Sequence, residues 1–367
     1  MRFTKFMILA AVAIVATACA HSFEVSPTQE PAIDLGSWAS NLTKARTQGS
    51  SGSFASGDNF AVYGYKYKAA VDETPASTVT VFDDVTVSTT DGTTWTYSPK
   101  RFWDTTFDSY TFFAVSPAAT GTAATVNAQT GAITSESITF AGNDNDILVA
   151  DKKTVNKTDG SGNFNSFGTV ALAFNHIASL VDLQVKKHTN IGDDATVAVS
   201  SVSLVNINKT NAFSVSTAYT DNHPVVDWAT GFTASGSNTG SYSNTSGVTS
   251  VTLPDDVTTT FTDNPLITSL IVMPQTFRTS GDYIQAVQIT YSLAVTDGGT
   301  NTYTKTIPLA DFDIVDDSDN EDTKVGQWKA GCHYTFNITI DAHAITFTAS
   351  INTWDTEDTT GYYYLVN

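Results

Sequence analysis

Apolar and polar residues alternate with a period of two along much of this chain. Between Tyr283 and Val295, the residues Tyr283, Val287, Ile289, Tyr291, Leu293 and Val295 share one parity, while Gln288, Thr290, Ser292 and Thr296 share the other. This is the strand period, because successive side chains of an extended backbone point to opposite faces. Tyr334, Phe336, Ile338 and Ile340 alternate with Thr335, Asn337, Thr339 and Asp341, and the pattern resumes in Ile345, Phe347, Ala349 and Ile351 after a turn near Ala342–Ala344. That pair predicts a β-hairpin. Further strands are predicted at Val79–Phe82, Val85–Val87, Asp146–Ala150, Leu172–Val185 and Thr196–Leu204. Turn clusters separate them, such as Asp91-Gly92, Asp159-Gly160-Ser161-Gly162 and Thr296-Asp297-Gly298-Gly299. Past the N-terminal segment, no apolar stripe of helical period runs longer than about ten residues. Many short strands with frequent turns predict an all-β chain built of antiparallel sandwiches.

Length then sets the number of sandwiches. At roughly 150 residues per domain, 367 residues suggest two. The weakly apolar, Gly-, Ser- and Asn-rich stretch Asp159–Gly168 is the best boundary, giving expected domains at 47–167 and 168–367. Thr230–Gly247 has a similar composition and is expected as a long surface loop of the second domain.

Composition narrows the partners. The chain has a net charge of −19 and only 15% charged residues, against about 25% in typical soluble proteins, so Thr, Ser, Asn and Gly supply most of its polar surface. Nucleic acid is a poor partner for so acidic a chain, since phosphate binding needs a basic face. With 6 Trp, 14 Tyr and 21 Phe there is ample apolar surface to bury, which argues against disorder.

The N-terminus reads as a targeting segment. Arg2 and Lys5 precede an apolar run, Phe6–Val15, too short to span a bilayer. It ends in Ala16-Thr17-Ala18-Cys19, which resembles the lipobox of bacterial lipoproteins, although Ala16 stands where Leu is usual. On that reading residues 1–18 are a lipoprotein signal peptide and Cys19 becomes the lipidated N-terminus. Removal of residues 1–18 takes the net charge from −19 to −21, since Arg2 and Lys5 leave and no acid does. Cys332 is then the one other cysteine, so no intrachain disulfide is expected, and Cys332 is expected to be buried as a small apolar residue.

Catalytic chemistry finds little support. The six histidines, His21, His176, His188, His223, His333 and His343, have no metal-ligand spacing. The acidic run Asp316–Asp322 fails as an EF-hand loop: counted from Asp317, the sixth and twelfth positions hold Asp322 and Trp328 instead of Gly and Glu. Asn143-Asp144-Asn145-Asp146 likewise reads as a solvated loop. There is no nucleophile elbow, no phosphate-binding loop and no dinucleotide fingerprint. The chain is not expected to be an enzyme, and no cofactor or metal is expected.

Three groups of residues resemble the fimbrillin family, the pilin subunits of type V pili in Bacteroidales. The first is Gly57-Asp58-Asn59-Phe60-Ala61-Val62-Tyr63-Gly64-Tyr65. The second joins Trp95-Thr96-Tyr97-Ser98-Pro99 and Phe102-Trp103 to Tyr110-Thr111-Phe112-Phe113-Ala114-Val115-Ser116-Pro117. The third comprises Phe174-Asn175-His176, Met273-Pro274-Gln275, Trp328-Lys329-Ala330-Gly331-Cys332-His333-Tyr334 and Ile351-Asn352-Thr353-Trp354.

The resemblance implies two tandem transthyretin-like sandwiches and a structural role in an adhesive pilus. It implies export as an outer-membrane lipoprotein, followed by cutting by an Arg-directed, trypsin-like protease. The cut frees an N-terminal segment containing a strand, and a strand of the next subunit takes its place. The implied cut falls between Arg46 and Thr47, so that residues 19–46 form the removable segment, with Ile33 and Leu35 on its displaceable strand. The apolar chain end Tyr362, Tyr363, Tyr364, Leu365 and Val366 is the implied donor strand. Expected partners are copies of the chain or other pilin subunits, and a host or bacterial surface ligand. The alternative is a surface lipoprotein that never polymerises and binds glycans through an aromatic patch.

Overall fold

The computed structural model describes residues 30–37, 54–118, 124–142, 146–157, 162–188, 191, 195–217, 219–228, 239–243, 251–252, 265–296, 298–314, 324–341 and 345–353. They form an all-β structure with two short 3₁₀ turns, Asn165–Phe167 and Leu309–Asp311. The N-terminal part holds β1 (Leu35–Ser37), β2 (Asn59–Lys68), β3 (Ser77–Thr89), β4 (Trp95–Thr96), β5 (Ser109–Ser116), β6 (Ala124–Val126), β7 (Ile133–Ser135), β8 (Ile138–Thr139), β9 (Leu148–Ala150) and β10 (Lys153–Asn156). Next come β11 (Val170–Leu172), β12 (Phe174–His176), β13 (Ser179–Lys187), β14 (Ala195–Asn208), β15 (Thr210–Asn211), β16 (Phe213–Val215), β17 (Val226–Trp228), β18 (Thr239–Ser243) and β19 (Val251–Thr252). The rest are β20 (Pro265–Val272), β21 (Gln275–Thr276), β22 (Ala286–Val295), β23 (Thr300–Pro308), β24 (Asp313–Ile314), β25 (Gln327–Trp328), β26 (Cys332–Ile340) and β27 (Ile345–Thr353).

One half is a two-layer sandwich. The sheet β20-β13-β26-β27-β24 faces the sheet β18-β14-β22-β23. Val181, Leu183, Phe336 and Ile338 from the first meet Val197, Leu204, Val287 and Ile289 from the second in one core. The hairpin of β26 and β27 has the expected register, with Ile338 opposite Phe347 and Ile340 opposite Ile345. Cys332 is buried at its edge, and burial pushes the thiol up to about 11. Most pairings are antiparallel, but β1–β11, β13–β26 and β24–β27 run parallel, so the sheets are mixed.

The other half has three layers. Its central sheet runs β12-β9-β5-β2-β3-β4, with β10 also on β5. Side chains of β5 point alternately into two cores: Tyr110, Phe112 and Ala114 into one, Phe113 and Val115 into the other. β2 divides in the same way, with Phe60 and Val62 on one side and Ala61 and Tyr63 on the other. β5, and β2 from Phe60 to Tyr65, are therefore almost continuously apolar, as a strand must be when neither face meets water. The sheet β17-β16-β7-β6 covers one face. Residues 30–37, β11 and the aromatic residues of 95–103 cover the other.

Strand pairing crosses the expected boundary at 167/168. β11 pairs with β1, β12 with β9, β15 with β8 and β16 with β7. The chain thus enters the second sandwich at Ile177–Ala178, returns for β15–β17 and leaves again. The junction is itself a core, in which Ala178, Leu180, Ile271 and Met273 pack with Phe113, Ile133 and Phe140. The predicted strand Leu172–Val185 is split into β11, β12 and β13 for the same reason: it feeds three different sheets. Tyr283 lies outside β22, exposed and left-handed at φ 61°, so its share in the apolar parity there is fortuitous. Among the described residues no helix is long and apolar enough to cross a membrane, and no cluster of His, Cys, Asp and Glu could hold a metal ion.

Candidate functional site

The segment Glu30–Ser37 lies in a slot over the central sheet. Its backbone is held on both sides. On one side the Ile33 amide donates to the Arg101 carbonyl at 2.8 Å, and the Trp103 amide donates to the Pro31 carbonyl at 3.1 Å. On the other, the Val170 amide donates to the Asp34 carbonyl at 2.8 Å, and β1 continues in parallel register with β11, Leu35 opposite Val170 and Ser37 opposite Leu172. Side chains alternate as on any strand. Ile33 and Leu35 point inward and are 0% and 4% exposed, whereas Asp34 points out.

The wall of the slot is the aromatic block that runs from Trp95 to Phe112. Trp95, Tyr97, Trp103, Tyr110 and Phe112 share one core with Ile33 and Leu35. Trp103 stacks on Phe164 at 5.1 Å and meets Tyr110 edge-on at 4.8 Å. The Tyr97 hydroxyl donates to the Ile33 carbonyl at 2.6 Å, and burial raises the pKa of this phenol. Trp95, Tyr97 and Trp103 thus line a strand-sized groove with rings and one hydroxyl that donates to the strand inside. The wall is not fully satisfied by its occupant: the indole N–H groups of Trp95 and Trp103 are buried without a hydrogen-bond partner.

The mouth of the slot near Glu30 is polar. The Thr105 hydroxyl donates to Glu30 Oε1 at 2.8 Å. Beside it the Lys66 ammonium lies 2.6 Å from Asp104 Oδ2 and 4.0 Å from the centre of the Phe107 ring. Burial works against the Asp104 charge, but the Lys66 ammonium and hydrogen bonds from Thr106 prevail and hold the carboxyl at about 2. The exposed pair Lys100–Asp34, at 3.8 Å, adds little.

The remaining motifs act as clamps. Asn175 Nδ2 donates to Asp151 Oδ1 at 2.6 Å, and His223 Nδ1 lies 2.9 Å from the same oxygen. His176 Nδ1 lies 2.9 Å from Asp146 Oδ1, and both groups are buried. Gln275 accepts from the Asn208 amide at 3.1 Å and donates to the Asn208 and Met273 carbonyls at 3.2 and 3.1 Å. Trp328 packs edge-on against Phe277 at 5.1 Å. Each described histidine faces a carboxylate: His188 lies 3.7 Å from Asp341, and His333 2.8 Å from Asp182. These partners are far away in sequence, so no local spacing could announce them. Of the exposed aromatics, Tyr67 lies on β2 and Tyr303 on β23, whereas Phe102 and Tyr283 lie between strands.

Cys19, Arg46, Thr47, Tyr362, Tyr363, Tyr364, Leu365 and Val366 lie outside the described residues. So do His21, His343, Trp354, Asn143–Asn145 and the acidic run Asp316–Asp322.

Known proteins are similar to this chain. The profile of the fimbrillin-like family matches residues 43–354. A crystal structure of a fimbrial protein from Bacteroides vulgatus is 17% identical, covers 88% of this chain and 99% of that one, and superposes with a TM-score of 0.53. At that identity the likeness is one of fold. A protein provisionally assigned to cell adhesion from Parabacteroides distasonis is 9% identical over 89% of this chain and 99% of its own, with a TM-score of 0.48. No curated protein matches the chain.

Proposed function

This chain belongs to the fimbrillin-like family, and from that premise we propose that it is a structural subunit of an adhesive cell-surface pilus, assembled by exchange of strands between subunits. The observation that carries this reading is the slot filled by Ile33 and Leu35. A strand buried between two backbone edges, contributed by a chain end, can be replaced by any strand that offers the same pattern.

The subunit reaches the outer membrane as a lipoprotein anchored at Cys19. A trypsin-like protease cuts between Arg46 and Thr47. Before the cut the strand is tethered, so its effective concentration keeps competitors out. After the cut residues 19–46 dissociate, taking the anchor with them. The empty slot then offers apolar pockets two residues apart and unpaired groups at Arg101, Trp103 and Val170. The chain end supplies apolar side chains at that spacing, Tyr363 with Leu365 or Tyr364 with Val366. Insertion into the next copy does not close on itself, so it builds a filament.

The test is to treat the full chain with an Arg-specific protease, sequence the new N-terminus and look for oligomer ladders. A new terminus at Thr47 with ladders that disappear when residues 362–366 are deleted supports the reading. A cut chain that stays monomeric with its chain end intact contradicts it.

A further inference from the structure

Arginine is scarce in this chain. Its four positions are Arg2, Arg46, Arg101 and Arg278, so past residue 46 an Arg-directed protease has two further bonds to attack. One of them is built into the slot. The carbonyl of the Arg101–Phe102 peptide bond accepts the Ile33 amide at 2.8 Å. The Trp103 amide donates to the Pro31 carbonyl at 3.1 Å, and between these two bonds Ala32 bridges antiparallel to Phe102. The occupant of the slot thus lies along this peptide bond as a paired strand.

Proteases take their substrates as extended backbone, paired edge to edge with the enzyme, and backbone already held in hydrogen bonds resists them. Residues 101–103 are extended and present one edge to the occupant, so a filled slot and a bound protease exclude one another. Little else holds the bond. The Tyr97 hydroxyl lies 3.4 Å from the Arg101 carbonyl and accepts from the Arg101 amide at 3.2 Å. A 3.1 Å hydrogen bond from Nε to the Val81 carbonyl holds the half-buried Arg101 side chain. Phe102, on the other side of the bond, is 40% exposed. Arg278 has no such arrangement: it lies between β21 and β22, where its amide donates to Gln285 Oε1 at 2.9 Å.

We propose that the Arg101–Phe102 bond is a second processing site, shielded while the slot is filled and cut when it is empty. This rests on the reading that the strand of residues 30–37 leaves the slot. Water adds across the bond, its hydroxyl to the Arg101 carbonyl carbon and its proton to the Phe102 nitrogen. The cut parts Trp95 and Tyr97 from Trp103 and Tyr110, so the wall of the slot is split between two fragments. A subunit that loses its own strand and receives no other is thereby removed by the same class of protease that opened it. Subunits filled by a neighbour's strand survive.

The test is digestion by an Arg-specific protease, with fragments followed by mass spectrometry. Arg46→Lys in every chain keeps the segment tethered. In that background Arg101 is expected to resist. Ile33→Asp puts an unpaired charge in a fully buried pocket and expels the strand. It is expected to speed cleavage at Arg101 at least about tenfold, because cleavage tracks the population of the open form, and to leave the rate at Arg278 unchanged. Ile33→Ala, a milder change, speeds it less and gives the same comparison if Ile33→Asp unfolds the chain. A peptide of residues 30–37 added to the opened chain slows the cut again, and Arg101→Lys abolishes it. Arg101 rates that ignore both Ile33 variants, acceleration shared equally by Arg278 in both, or a peptide that gives no protection overturns the proposal. A peptide of residues 359–367 separates it from strand exchange: protection by 30–37 but not by 359–367 upholds the guarded bond and rejects the chain end as the donor.

Discussion

The Tyr97 hydroxyl donates a 2.6 Å hydrogen bond to the carbonyl of Ile33, 64 residues earlier in the chain. This bond joins the most distinctive sequence block to the segment that fills the slot. The block therefore has a physical role. Its rings form a groove, and the Tyr97 phenol reads the backbone of the strand inside.

Tyr97→Phe keeps the ring and removes the donor. In the intact chain the Ile33 carbonyl then loses a buried partner, at a cost of about 1–3 kcal/mol. Once the chain is cut after Arg46 and the segment is gone, that cost is expected to vanish. Urea unfolding of parent and variant, each before and after cutting, checks both halves of this prediction.

Ile33→Ala and Leu35→Ala each empty a fully buried pocket. Each is expected to destabilise the intact chain by about 2–5 kcal/mol and to speed loss of the segment after cutting. The rate of segment release, followed by size-exclusion chromatography, is the measurement. An Asp34→Ala change, at an outward position, should leave it unaltered.

Gly131→Ala is expected to disrupt the first half. A Cβ there would sit 2.2 Å from Phe113 Cε1, and the backbone is left-handed at φ 76°. Ring and backbone would both have to move, so an exposed-looking turn should prove intolerant. Thermal melting of the variant tests this, with Gly281→Ala, left-handed but in open space, as the comparison.

Asp104 supplies a pH dependence. Its carboxyl is lowered from 3.8 to about 2 in the folded chain. A depressed folded value adds stability above the unfolded value, and that stability is lost as pH falls from about 4 toward 2. Asp104→Asn and Lys66→Met should each flatten stability in that window and change its pH slope little above pH 5. Chemical unfolding at a series of pH values measures the slope.

The all-β class was legible because alternation survives wherever one face of a sheet is wet. β22 and β26 show it cleanly. β5 does not, because its two faces fill two cores, and nothing local in Tyr110–Val115 says that a third layer exists. Ile33 and Leu35 could be flagged only through the family resemblance. The hydrogen-bond partners of their segment stand at Tyr97, Arg101, Trp103 and Val170, beyond the reach of any periodicity. The His176–Asp146 and His333–Asp182 contacts, across 30 and 151 residues, were hidden for the same reason.

Amide hydrogen exchange at Val170 and Trp103 tests the exchangeable slot most directly. Both amides donate to the segment that the cut would release. They are expected to be protected in the intact chain, to exchange freely in the cut monomer, and to be protected again in the polymer. Protection that persists in the cut monomer, or exposure that persists in the polymer, would contradict strand exchange at this slot.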